Sequence, residues 1–392
     1  MQLRNEAFMW QSWSRGKRFL LWMVSGAIAS LLACTSPPTD LPIGLIAPLS
    51  GDLAPTSGTP TLQGAELAVN ALNEAGGVEI EGRRYTFQLV PADDQDNPNQ
   101  AVAVANRLIN QEQVVALVGM PLSRIAIPVS QVAENARIPM ISSKSTNPAT
   151  TQDKDYVFRV TFTDTFQGEA IAEFAKNQLN LTQAAILYDD ASNYNKFLAE
   201  TFQQAFTQRG GQIVALESYI TNETNFEPQL TRIRDSGAEL IFLPNYPVEV
   251  IEQARQIRNL GIDAILLGGD AWSGFAQYDE PALDGSYYTA DWALDLDNPQ
   301  MPDFLARYQA TYDTLPTSAA ALSYDTIGLI AAAIRQANDS TPQAIREGLS
   351  TMRDYPGVTG LISYQDSGDP QKGAVILRLE QGNAVFDRQV MP

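Results

Sequence analysis

The chain has 392 residues, is 44% hydrophobic and 18% charged, and carries a formal net charge of −19. That length suggests two or three domain-sized units with large buried cores, and the acidity argues against nucleic acid and against adsorption of the globular part to anionic lipid. One cysteine and no histidine exclude a disulfide, a structural zinc site and a histidine-based triad within one chain, and remove the commonest general acid–base group, so the expectation is a protein without enzymatic activity, metal or cofactor.

The first 34 residues read as a targeting segment. Arg15, Lys17 and Arg18 flank an apolar stretch, Phe19 to Ala33, short for a membrane span and in the range of an export signal. The stretch ends Leu31-Leu32-Ala33-Cys34, which resembles the bacterial lipobox, and the resemblance implies lipidation of Cys34. Thr35 to Asp40 then forms a short proline-containing tether.

From Leu41 onward short apolar runs alternate with helical periodicity. Strands are expected at Ile43–Pro48, Tyr85–Val90, Val114–Gly119, Ile138–Ile141 and Val157–Val160, with helices at Thr61–Ala75, Pro98–Asn110 and Arg124–Asn135. The alternation restarts with a helix at Gln167–Leu179. Strands follow at Ala184–Tyr188, Gln212–Leu216, Leu240–Leu243, Ala264–Leu267 and Ser286–Thr289, with helices at Lys196–Gln208, Phe226–Asp235 and Glu249–Leu260. Three helices (near 302–312, 320–336 and 342–351) and three strands (near 361–364, 374–379 and 384–388) complete the chain. Repeated strand–helix alternation predicts an α/β protein with two lobes built on parallel sheets covered by helices.

Ligands of such sheets gather at the carboxyl ends of strands. On the first lobe those loops carry hydroxyls: Ser123 before a helix, and Ser142 to Asn147 after a strand. Ser123 suits either a helix cap or an anion contact, since helix starts leave N–H groups free. On the second lobe they carry aromatics and an acid: Tyr194, Tyr246 and Asp270. Hydroxyls and helix N–H groups suit a carboxylate, and an acid suits an ammonium. Together they complement an α-amino acid zwitterion. The run Asp93-Asp94-Gln95-Asp96-Asn97 looks like a calcium loop, but Pro98 and a missing glycine favour a helix cap. No glycine-rich phosphate loop follows a strand.

Five stretches, in this order and spacing, resemble the type I periplasmic binding proteins, specifically the leucine/isoleucine/valine-binding group that serves ABC importers. They are Pro48-Leu49-Ser50-Gly51, Ala92 to Asn106, Ile141 to Pro148, Gly268-Gly269-Asp270, and Gly357-Val358-Thr359-Gly360. The resemblance covers nearly all of Leu41 to Asp387. It implies two Rossmann-like lobes joined by a three-stranded hinge, with signal peptide at 1–34, tether at 35–40, first lobe at 41–163 and 291–367, and second lobe at 164–290 and 368–392. It further implies a ligand carboxylate on Ser123, the backbone around Ser145, and Thr146. Asp270 would take the ammonium, and Tyr194 and Tyr246 would cover the ligand. Trp272 could floor the side-chain pocket or serve as core packing. Arg124 and Lys144 are extra cations that either pair with acids or extend the choice of ligand toward acidic ones. The implied partners are an amino acid, neutral or branched, and an ABC permease. Urea, an amide or another small polar solute is the alternative. The expected state is an exported, lipid-anchored monomer.

Overall fold

The computed structural model describes residues 39–392 apart from Tyr278, Asp279 and Asp366, with Thr39 and 274–277 described by their backbone alone. The targeting segment and Cys34 lie outside the described residues. The first sheet is built from β1 (Thr39–Ala47), β2 (Val78–Ile80), β3 (Arg83–Asp93), β4 (Ala116–Gly119), β5 (Met140–Ser142) and β6 (Val157–Arg159), in the order β2-β3-β1-β4-β5-β6. All neighbours are parallel except β2 and β3. Parallel neighbours cannot be joined by a tight turn. The connecting helices are α1 (Thr59–Glu74), α2 (Pro98–Asn110) and α3 (Ser123–Ala136). The strand β2 escaped the sequence pattern because it is only three residues long. It forms a hairpin on β3 through Glu81 and Gly82, both at positive φ, the backbone of a two-residue turn.

The chain then leaves this sheet and builds a second one. Its helices are α4 (Asp164–Asn177), α5 (Asn193–Gln208), α6 (Glu227–Ser236) and α7 (Pro247–Asn259). Its strands are β7 (Gln183–Asp189), β8 (Gln212–Tyr219), β9 (Leu240–Leu243), β10 (Ile265–Gly268) and β11 (Tyr287–Ala290). After β11 the chain returns to the first sheet with α8 (Met301–Tyr312), α9 (Ser318–Ala337) and α10 (Pro342–Ser350). Leu322, Ile327, Ile330 and Ile334 of α9 share one apolar core with Ile43, Leu45 and Val118. A small antiparallel pair, β12 (Tyr355–Gly357) and β13 (Gly360–Ile362), precedes the last crossing.

The closing strands β14 (Ala374–Glu380) and β15 (Asn383–Val390) complete a sheet of order β15-β14-β11-β10-β9-β7-β8. They depart from the expected parallel pattern. Both pair antiparallel, β14 against β11 and β15 against β14. A hairpin turn at Gln381 and Gly382, again both at positive φ, leaves no length for a crossover. The second sheet is therefore parallel with an antiparallel edge.

Helix α9 is held against α1 at unusually short range. A methyl group added at Gly64 would stand 2.0 Å from the Ala320 carbonyl oxygen. This approach seats the first turn of α9 in the first lobe. Gly64→Ala is expected to destabilise the protein by about 1–3 kcal/mol through overpacking, read as a lower midpoint in urea. An unchanged midpoint would show that the α1–α9 contact relaxes freely.

Candidate ligand-binding cleft

A cavity opens at the carboxyl ends of β4 and β5 on one lobe and of β10 on the other. Ser123, Lys144, Thr146, Tyr194, Tyr246 and Asp270 all line it. These six come from two sheets, the most distant of them, Ser123 and Asp270, 147 positions apart, and they meet there because successive strands of an α/β lobe end on one side.

The hydroxyl side is rigidly braced. Ser123 is the first residue of α3 rather than its cap. Leu122 holds the capping position and offers no side-chain bond. This departs from the capping alternative, and frees the Ser123 hydroxyl for other partners. It accepts from the Ser145 hydroxyl at 2.9 Å and from the Asn147 N–H at 3.4 Å. Ser145 lies behind the cavity wall. Its N–H donates to Ser142 Oγ at 3.1 Å and its hydroxyl meets that of Thr150 at 2.8 Å, so it supports the loop while Ser123 and Thr146 line the cavity. Arg159, fully buried in β6, anchors the same loop. Its guanidinium donates to the Ser145 and Asn147 carbonyls at 2.7 and 3.0 Å and pairs with Asp369 at 2.6 Å. The only sequence sign of this role was a charge inside the apolar run Val157-Phe158-Arg159-Val160.

The acidic side is a network. Asp270 Oδ1 accepts from Tyr194 Oη and Gln167 Nε2, both at 3.0 Å. Gln167 Oε1 in turn accepts from the Asp270 N–H at 3.2 Å and from Thr289 at 2.9 Å. Lys144 crosses from the first lobe, and its Nζ stands 2.9 Å from Asp270 Oδ2 and 2.8 Å from Asp291 Oδ2. Asp291, directly after β11, has a fully buried side chain. Burial opposes the charge on Lys144, but the Asp270 and Asp291 carboxylates outweigh it and hold its pKa above the ordinary lysine value. Lys144 is thus paired with acids. Arg124 is too, bonding Asp96 through Nε and Nη2 at 2.6 and 2.5 Å, and it lies over the Tyr246 ring at 4.8 Å. Asn97, as expected of a cap, accepts from the Asn99 and Gln100 N–H groups.

Tyr194 and Tyr246 pack against each other with centroids 5.4 Å apart, and both line the cavity. Burial raises the pKa of both hydroxyls, so they remain neutral donors. Trp272 takes the packing alternative. It is fully buried in the second-lobe core, donates to the Leu243 carbonyl at 3.1 Å and does not line the cavity. The turn expected after β10 is a short helix, Asp270–Gln277, which turns the indole inward under Gly268.

Two lobes with a polar cleft at the carboxyl ends of their strands define a binding protein of the type I periplasmic class. The chain belongs to the periplasmic binding protein family, whose model matches residues 40–384. It is 28% identical over 334 residues to a Leu/Ile/Val-binding protein homolog of Brucella melitensis, covering 84% of this chain and 88% of that one. It is 32% identical over 256 residues to an amino acid binding protein of Pseudomonas aeruginosa, covering 65% and 67%. Among solved structures it resembles the branched-chain amino acid transporter substrate-binding protein LivJ of Streptococcus pneumoniae in complex with isoleucine, with TM-score 0.83 and 30% identity over 90% of this chain and 100% of that one. The leucine-binding protein LivK of Thermotoga maritima gives TM-score 0.84 and 27% identity over 90% and 99%.

One carboxyl beside the site titrates near neutrality. Burial first, and then the neighbouring Asp270 carboxylate, push Asp164 up to about 7 from 3.8. A folded pKa above the unfolded one gives stability that is complete below about pH 4 and lost as pH rises through about 7. Asp164→Asn should therefore be more stable than the parent at pH 8, with that advantage shrinking as pH falls to 4, read by urea denaturation across the range. An advantage that does not change with pH would contradict this assignment.

Proposed function

We propose that this chain is the extracytoplasmic solute-binding component of an ABC importer, anchored by a lipid on Cys34, acting as a monomer, and holding an α-amino acid in the cleft. The observation that carries this reading is the meeting of hydroxyls and an acid in one cavity: Ser123 and Thr146 from one lobe, Asp270 and Tyr194 from the other. The ligand carboxylate binds the hydroxyl side, where the start of α3 adds free N–H groups and a favourable dipole. Its ammonium binds Asp270, and the tyrosine rings cover it. Closing the two lobes on the ligand takes both charged ends out of water, so each must be paired. The names of the relatives support a neutral or branched-chain amino acid.

Lys144 sets the terms of binding. Its ammonium sits on Asp270 and Asp291, in the role a ligand ammonium would take. An arriving amino acid displaces it from Asp270 while Asp291 retains it. The same contact favours a second reading, a small polar solute such as urea or an amide, which needs no displacement.

Asp270→Ala and Ser123→Ala should each weaken amino-acid binding by at least about tenfold, the scale of one lost charge-assisted bond, as measured by calorimetry. Full affinity in both variants would refute the site, and binding of urea or acetamide without any free amino acid would favour the second reading. Lys144→Met should destabilise the empty protein by roughly 3 kcal/mol, because it leaves buried carboxylates unpaired. It should also enlarge the rise in Tm on adding the amino acid, since the ligand then supplies the missing cation. A smaller rise than in the parent would contradict displacement.

A further inference from the structure

The cavity has a third wall, where unpaired hydroxyls stand beside Leu53 and Ala319. It is formed by the start of α9 and by the single wide turn at Ala54–Gly58. The hydroxyl oxygens of Thr56, Thr317 and Ser318 are shielded from solvent and have no hydrogen-bond partner among the described residues. All three residues line the same cavity as Ser123 and Asp270. Ser318 as a whole is only 4% exposed. Thr317 holds the capping position of α9, with φ −92° and ψ 170°, yet its side chain makes no capping bond. A threonine there ordinarily accepts from the N–H two or three residues on. The first N–H groups of a 20-residue helix therefore have neither an intrahelical acceptor nor a side-chain cap, and its first turn holds no acid.

These groups are not engaged by the two ends of an amino acid already assigned. The carboxylate belongs to Ser123 and Thr146 and the ammonium to Asp270. What remains of an amino acid is its side chain. The wall offers hydroxyl donors and helix N–H groups at the positive end of a long dipole, which is a site for an oxygen acceptor. A hydrocarbon tip would leave three hydroxyls and the helix start unpaired in a closed cleft, and an unmade buried bond is costly. We infer that the third wall is a side-chain subsite, and that the ligand is an amino acid whose side chain ends in a carbonyl oxygen, an amide or a carboxylate, rather than in a branched alkyl group. The inference rests on the amino-acid reading above and deepens it.

The test is calorimetric titration of the purified protein with L-glutamine, L-glutamate and L-leucine. Glutamine or glutamate should bind at least about tenfold tighter than leucine, one hydrogen bond to a buried partner being worth about that factor. Which of the two binds tighter tells whether the acceptor is an amide or a carboxylate. In the double variant Thr317→Val with Ser318→Ala that advantage should vanish while leucine binding persists, which also shows that the variant is folded. Thr317→Ser alone should keep the advantage. Leucine binding as tightly as both polar amino acids in the parent would overturn the subsite and leave the amino-acid reading standing, and so would an advantage that survives the double variant. Absence of binding by all three would overturn both.

Discussion

Buried charge governs the cleft. Asp270 and Asp291 are almost entirely withdrawn from solvent, and the Lys144 ammonium stands against both, reaching across to the second lobe at Asp270. Removing charges from water costs several kcal/mol per ion unless each is paired and hydrogen bonded. The acidic pole meets that condition by borrowing a cation from the first lobe, and by tying Asp270 to Gln167 and Tyr194. Asp164, close by, meets it differently, by holding its proton toward neutral pH. One ammonium against two carboxylates leaves this pole with a net negative charge, which is what attracts the ligand ammonium in the function proposed above.

The scaffold positions these groups. Strand ends β4 and β5 fix the hydroxyl loops, and the extension of β6 places Arg159 beneath them, where it bonds their carbonyls. Strand ends β10 and β11 carry Asp270 and Asp291. Each lobe has its own apolar core, and the polar groups between them lie outside those cores. They are free to be arranged for a ligand, which accounts for a cleft that tolerates unpaired hydroxyls on the wall formed by α9.

Much of this was legible in the amino-acid order. The period of the apolar residues marked the long strands and helices, and listing the loops after strands brought Ser123, Thr146, Tyr194, Tyr246 and Asp270 into view. They do line one cavity. What stayed hidden depends on partners far away in sequence. Lys144 and Asp291 are 147 positions apart and Gln167 and Asp270 are 103 apart, and no local pattern announces either pair. Arg159 carries its partners out of a strand that reads as ordinary core. Short or irregular backbone escaped too. The strand β2 is too short for a period to show, and the helix after Gly269 turned Trp272 into the core. Ser123 was visible as a helix start, but only its contacts with Ser145 and Asn147 show that the hydroxyl links two loops instead of capping one.

The most direct test is a crystal structure of the protein with an α-amino acid bound. The account predicts the ligand ammonium within hydrogen-bond distance of Asp270, the ligand carboxylate on Ser123 and Thr146, and Lys144 Nζ moved off Asp270 but still bonded to Asp291. A complex in which Lys144 keeps both acids, with the ligand ammonium held by other groups, would contradict it.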